Sequence, residues 1–355
     1  MPKVVLAIGG AGFIGSNLAD AMLRSGTKVT VYDNFSRPGA SANSRWLQRR
    51  HGRAVRILHG DIRKARARLT RLVDDADLVI HNAAQVAVTT SVADPRTDFE
   101  INAARTLEVL EAVRASRRRP PLIFSSTNKV YGALEGVATR RGARRYAFTT
   151  ARTGIAEDFP LDFHSPYGCS KGAADQYVRD YARVYGLRTV VFRKSCVYGP
   201  RQFGVEDQGW VAWFTIAALH GYPVTVYGDG RQVRDVLYVD DLVRAYRAAW
   251  RRIDDVTGEV FNIGGGPRNT LSVLELLDLL RDLTGAPLSV GYAGWRPGDQ
   301  KVFVSGIDKA RRLLQWEPAV GPREGVSRLY AWVRGNASLF RVRRLVPARG
   351  ATASA

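Results

Sequence analysis

The sequence predicts an α/β protein: a doubly wound parallel sheet with a smaller carboxyl-terminal region set against it. Three observations carry that prediction. Short aliphatic runs at 4–8, 29–32, 55–58, 78–81 and 122–125 read as strands, the first of them as a strand buried on both faces. Amphipathic stretches such as 16–24 and 99–115 separate them, and strand–helix alternation of this kind builds parallel sheets. A glycine-rich turn joins the first strand to the first helix. With 355 residues and 45% hydrophobic content, the chain can form one such domain plus a smaller substrate-binding part.

The opening unit has the order a dinucleotide site requires. Residues 4–8 run into Gly9-Gly10-Ala11-Gly12-Phe13-Ile14-Gly15, a helix follows at 16–24, and Gly26 closes it. Gly9 permits the tight turn, Gly12 lets backbone approach a pyrophosphate, and Gly15 lets helix and strand pack closely. The helix start at Phe13 and Ile14 offers unpaired N–H groups and a positive dipole end. The second strand ends at Asp33, with Asn34 beside it. A carboxylate there accepts both ribose hydroxyls and repels a 2′-phosphate, so NAD is expected over NADP. Arg37, close behind, keeps NADP open. Later strands end at Asp61-Ile62 and at Ala83-Ala84, which extend the cofactor site along the carboxyl edge of the sheet.

The next strand closes on Ser125-Ser126-Thr127, and a long helical stretch runs from Tyr167 to about Tyr185. Tyr167 and Lys171 stand four apart and share one helical face. An ammonium near a phenol favours phenolate, so Tyr167 can exchange a proton with a substrate hydroxyl while a nicotinamide carries hydride. Thr127 can hydrogen-bond the same oxygen.

At these residues the chain resembles the extended short-chain dehydrogenase/reductases, from about residue 3 to 335. The resemblance implies Thr127, Tyr167 and Lys171 as catalytic triad, with Asn102 supporting the lysine on the cofactor side. Sugar-nucleotide dehydratases of that superfamily follow the threonine with an Asp-Glu pair, where this chain has Asn128 and Lys129. Elimination needs a placed acid and base, so dehydration is not expected.

Longer runs are similar to the CDP-paratose 2-epimerases, also called CDP-tyvelose epimerases. They are SSTNKVYG at 125–132, LDFHSPYGCSKGAADQY at 161–177, GPRQFGVEDQGWVAWF at 199–214, YGDGRQVRDVLYVDDL at 227–242, FNIGGGPRNTLS at 261–272 and WRPGDQKVFVS at 295–305. This resemblance implies transient oxidation at C2 of a CDP-linked dideoxyhexose by tightly bound NAD. A 2- or 4-epimerase acting on a GDP-, UDP- or ADP-sugar is the alternative. Within the matched runs, Arg234 and Arg296 are planar cations suited to a diphosphate. Asp299 is expected to orient Arg296 or meet a ribose hydroxyl. Asn128, Gln208 and Trp210 are expected to line the nucleotide-sugar pocket.

Charge and composition bound the other readings. Lys and Arg total 53 against 33 Asp and Glu, a net charge of +20. The basic residues fall in scattered clusters at 63–71, 117–119, 140–145 and 341–344, and no nucleic-acid module accompanies them. Solvated charge that steers phosphate-bearing ligands is the expected role; an RNA-binding or regulatory protein on an NAD fold is the alternative from another class. The five histidines show no metal-ligand spacing, so no metal is expected. Two cysteines, Cys169 and Cys196, are too few for a disulfide scaffold. The start lacks a signal-peptide pattern and no apolar run approaches the roughly 20 residues of a membrane span, so the expectation is a cytoplasmic enzyme. Residues 1–194 are read as the dinucleotide-binding domain, regained at about 236–250. The substrate region takes 195–235 and 260–335, and 336–355 is a basic tail. The superfamily resemblance implies a homodimer formed through 99–115 and 167–185.

Overall fold

The computed structural model describes residues 2–64, 66–296 and 299–340. The basic cluster at 341–344 and the end of the tail lie outside the described residues. Seven parallel strands form the central sheet: β1 (Val4–Ile8), β2 (Lys28–Asp33), β3 (Val55–His59), β4 (Leu78–His81), β5 (Leu122–Thr127), β6 (Thr189–Lys194) and β7 (Val260–Ile263). Their spatial order is β7-β6-β5-β4-β1-β2-β3. Val5 pairs with Val29 of β2 on one side and with Leu78 of β4 on the other. The winding therefore reverses between β1 and β4, which opens a crevice at the carboxyl ends of the strands.

Burial on both faces explains the apolar-rich strands: every residue of β4, β5 and β7 is buried. Helices Phe13–Leu23, Ala40–His51 and Val239–Arg251 cover one face through Leu18, Leu47 and Leu242. Helices Arg66–Asp74, Arg105–Ala115 and Ser165–Tyr185 cover the other through Leu69, Val109 and Val178. The smaller region is built on strand Val233–Tyr238, which pairs with Cys196–Tyr198, Thr270–Ser272 and Val302–Phe303. Helices Trp210–His220, Val273–Thr284 and Pro322–Gly335 pack on it around Leu276 and Leu329. A capping box formed by Ser272 and Glu275 starts the second of these helices.

Two expectations need correction. Residues 260–263 belong to the main sheet as its edge strand, not to the substrate region: Val260 pairs with Val191 and Ile263 with Lys194. The return to the domain is completed there, while residues 239–251 form a helix on the sheet. Residues 99–115 are also not one α-helix. Helix Pro95–Phe99, capped by Asp94, runs into a π-helical turn at Glu100–Ala104 before Arg105–Ala115 resumes. No helix among the described residues is long and apolar enough to cross a membrane.

Candidate active site

One cavity of about 980 Å³ opens at the carboxyl ends of the sheet strands and continues into the smaller region. That is the upper end of the roughly 300–1,000 Å³ usual for ligand pockets. It brings together every candidate site residue except Asn102.

The cofactor side is shaped by backbone. Gly9 has φ +75°, and a Cβ there would lie 2.5 Å from Ala83 N. At Gly15 a Cβ would meet Gly9 O at 2.4 Å, so only glycine lets the helix sit this close to the strand. Gly12 differs: a Cβ would approach only Gly9 O, at 3.5 Å, so its free face is turned to the cavity. Asp33 is fixed by two backbone donors, Ala11 N at 3.0 Å and Phe35 N at 2.8 Å, one on each carboxylate oxygen. Each oxygen keeps a lone pair for a ligand hydroxyl. Burial raises this carboxyl's pKa, and the backbone N–H groups of Phe35, Ala11, Gly12 and Asn34 oppose that rise. Asp61 accepts from Arg63 at 2.7 Å, and that guanidinium holds its carboxyl well below the usual range.

Thr127 ends β5 and Tyr167 lies in the first turn of its helix, which brings both side chains to the cavity. Burial pushes the Tyr167 phenol up to about 12, with Thr127 and Arg37 pulling it down. Lys171 is buried and donates from Nζ to Ser125 O at 2.6 Å, over the Phe124 ring at 4.0 Å. Burial pushes its pKa down to about 7, helped by the like charge of Lys194. Burial is the largest influence on both groups, and one of the donors of the Lys171 amine goes to Ser125 O. Asn102 does not line the cavity. Its amide pairs with the backbone of Gln85 at 3.0 and 3.1 Å and donates to Ser170 Oγ at 3.1 Å, so it braces the Ser165–Tyr185 helix between Tyr167 and Lys171.

A buried ion pair locks that helix to the sheet. Arg193 of β6 grips Asp175 through two bonds, at 2.9 and 3.0 Å, and Asp175 also accepts from Ser126 Oγ at 2.7 Å. The helix of Tyr167 and Lys171 and the strand end of Thr127 are therefore tied to each other one turn beyond Lys171.

On the opposite side the cavity is lined by loop side chains. Arg234, mostly buried, donates to Asp299 at 2.5 Å, and Lys129 lies 3.9 Å from the same carboxylate. Asp299 therefore orients Arg234, not Arg296 as expected. Arg296 instead lies 3.1 Å from Asp207 and stacks over Tyr227 at 3.9 Å. Trp210 donates its indole N–H to Cys196 Sγ at 3.4 Å. Gln208 accepts from Arg37 Nη2 at 2.7 Å, so an arginine read only for its bearing on NADP bridges the two sides. Lys194 and Cys196 also line the cavity; the single hint in the sequence is that they lie at and just beyond the end of β6, where such sites form. The 140–146 segment forms an exposed hairpin whose Arg144 and Arg145 pair with Asp278 and Glu275, away from the cavity lining.

Residues 5–264 match the NAD dependent epimerase/dehydratase family. The chain belongs to that family. A CDP-paratose 2-epimerase of Salmonella typhi is 45% identical over 335 residues, spanning 92% of this chain and 98% of that protein. A UDP-glucuronic acid 4-epimerase from Bacillus cereus, solved with UDP-glucuronic acid and NAD, superposes with a TM-score of 0.81 at 29% identity, covering 94% of this chain and 99% of that one. A UDP-glucose 4-epimerase from Thermotoga maritima, solved with UDP-glucose, gives a TM-score of 0.78 at 33% identity, covering 94% and 99%. NAD is the cofactor of this epimerase/dehydratase family, and the chain's cofactor side suits it. Gly12 presents open backbone for the pyrophosphate, and Asp33 keeps free lone pairs for ribose hydroxyls.

Proposed function

We propose that this enzyme epimerises a nucleotide-activated sugar at C2 by transient oxidation, converting CDP-paratose to CDP-tyvelose. The observation that carries the reading is the 45% identity over nearly the full length of both chains. The nicotinamide supplies a reversible hydride store. Thr127 holds the reacting hydroxyl, and Tyr167 removes its proton and later returns it. Arg234 and Arg296 grip the diphosphate, while Asn128, Gln208 and Trp210 shape the sugar pocket. Thr127 is followed by an amide and an amine, so the carboxylate pair of an elimination is missing at that position.

The test is incubation of purified enzyme with CDP-paratose in deuterated water, following C2 by proton NMR. CDP-tyvelose without deuterium at C2 is the expected product, and deuterium there would mean a deprotonation route. Turnover of UDP-, GDP- or ADP-sugars alone would favour the second reading, a 2- or 4-epimerase of another nucleotide sugar. The UDP-sugars in the similar solved structures support that alternative.

The same proposal covers assembly and compartment. Phe99 and, on the Ser165–Tyr185 helix, Tyr177, Val184 and Tyr185 are exposed large apolar side chains, the pattern of an interface. A homodimer mass in light scattering is expected, and a monomer mass would overturn it. Cys169 and Cys196 are free thiols, in keeping with a cytoplasmic enzyme.

A further inference from the structure

Lys194 ends β6 and has no role in the reaction as described above. It pairs in register with Thr127 of the neighbouring strand and lines the same cavity. Its Nζ donates to Ser125 Oγ at 2.8 Å, while Lys171 Nζ donates to the carbonyl of that same residue at 2.6 Å. One serine thus anchors two amines. The rest of its surroundings are neutral: Ser125 Oγ also bonds the Tyr246 hydroxyl at 2.8 Å and Asn82 Oδ1, and Tyr246 donates to Asn82 at 3.1 Å. Asp98 and Asp175 offset part of the burial of Lys171, whereas Lys194 is lowered by burial and shares its like-charge repulsion with Lys171. The titratable groups around the amine are therefore Lys171 from the catalytic helix and Tyr246 from the Val239–Arg251 helix.

Ser125 and Thr127 are two apart on one strand and face the same side of the sheet. That spacing puts the Lys194 amine within roughly 10 Å of the oxygen on which Thr127 and Tyr167 converge. Hydride transfer needs its two carbons about 3–3.5 Å apart, so the nicotinamide must lie in this neighbourhood too. An oxidised nicotinamide ring is cationic and the reduced ring is neutral. We propose that Lys194 is a tuning cation of the redox site: its ammonium, anchored on Ser125, favours the neutral reduced ring over the cationic oxidised one and makes the bound cofactor a stronger oxidant of the sugar. The inference rests on NAD as cofactor and is independent of which sugar is bound.

A unit charge at about 10 Å and an effective dielectric near 20 changes such an equilibrium by about tenfold. For a two-electron couple, tenfold is about 30 mV. The experiment equilibrates the holoenzyme with a redox dye, without sugar, and reads the reduced cofactor by absorbance. Lys194→Met is expected to lower the midpoint potential by about 30 mV, and Lys194→Arg to keep it near wild type. Burial pushes Lys194 down to about 7, so the deficit of the Met variant is widest below that pH and fades above it. If Lys194→Met sheds its cofactor, the ratio of NADH to NAD affinities measures the same quantity by fluorescence titration. A tenfold drop in that ratio supports the proposal. An unchanged potential or ratio overturns it and leaves Lys194 a structural anchor for Ser125.

Discussion

The two sides of the cavity are made by different physics. The cofactor side is a backbone surface, set where a Cβ at Gly9 or Gly15 would lie within 2.5 Å of a neighbouring main chain. The opposite side, proposed above for the nucleotide sugar, is a side-chain surface, with Arg234 held by Asp299 and Arg296 by Asp207 and Tyr227. A backbone surface cannot be altered by substitution without moving the chain, which suits a cofactor shared across a family. A side-chain surface can be rebuilt one residue at a time, which suits a family whose members take different sugars.

The sharpest break in that comparison should come at Tyr167, where the two sides meet. Tyr167→Phe removes the proton carrier and keeps the ring, so kcat should fall by about 10²–10⁴-fold while bound NAD and the melting temperature stay near wild type. Single-turnover kinetics on the holoenzyme checks this. Retention of activity would sink the proton-transfer role, and retained RNA binding by the inactive variant would revive the RNA-binding reading.

Next comes the tie beneath both sides. Asp175→Ala leaves Arg193 buried without its partner, and losses of this kind cost about 3–5 kcal/mol. Urea unfolding should show a lower midpoint for this variant, whereas Arg234→Met, at the edge of the cavity, should leave the midpoint almost unmoved. If both variants unfold alike, Arg234 is a structural residue and not a ligand group.

Arg234→Met then probes the nucleotide-sugar side by itself. Hydrogen bonds to charged groups contribute about 1.5–3 kcal/mol, so KM for the nucleotide sugar should rise by roughly 10- to 150-fold with a smaller change in kcat. Loss of NAD from this variant would contradict the division into two surfaces.

The cofactor side was the more legible of the two because its signals are local. Gly9, Gly12, Gly15 and Asp33 lie within one strand–helix–strand unit, and short apolar-rich runs marked five of the sheet strands. The nucleotide-sugar side depends on pairings between residues far apart in sequence. Arg37 meets Gln208 across 171 positions and Arg234 meets Asp299 across 65, and no periodicity reports either contact. Residues 260–263 are read with the substrate region because nothing local in the sequence tells which sheet they join; register with β6 decides that. The π turn at 100–104 was hidden for a similar reason. Its apolar spacing resembles an α-helix, while the added residue in the turn is set by tertiary contacts that place Asn102 against Ser170.

The smallest effect tests a place where a side chain intrudes on the backbone-built surface. Asp33 accepts from Ala11 N and Phe35 N through different oxygens. Asp33→Asn keeps one acceptor and turns the other into a donor facing an N–H, so one backbone bond is lost at about 0.5–1.5 kcal/mol. The same change removes the negative charge that repels a 2′-phosphate. NAD affinity should therefore weaken by several-fold, and the preference for NAD over NADP should narrow by about tenfold. Titrating stripped enzyme with each dinucleotide reads both quantities. A wide preference retained by Asp33→Asn would assign the discrimination to main-chain geometry alone and would extend the backbone surface to the ribose as well as the pyrophosphate.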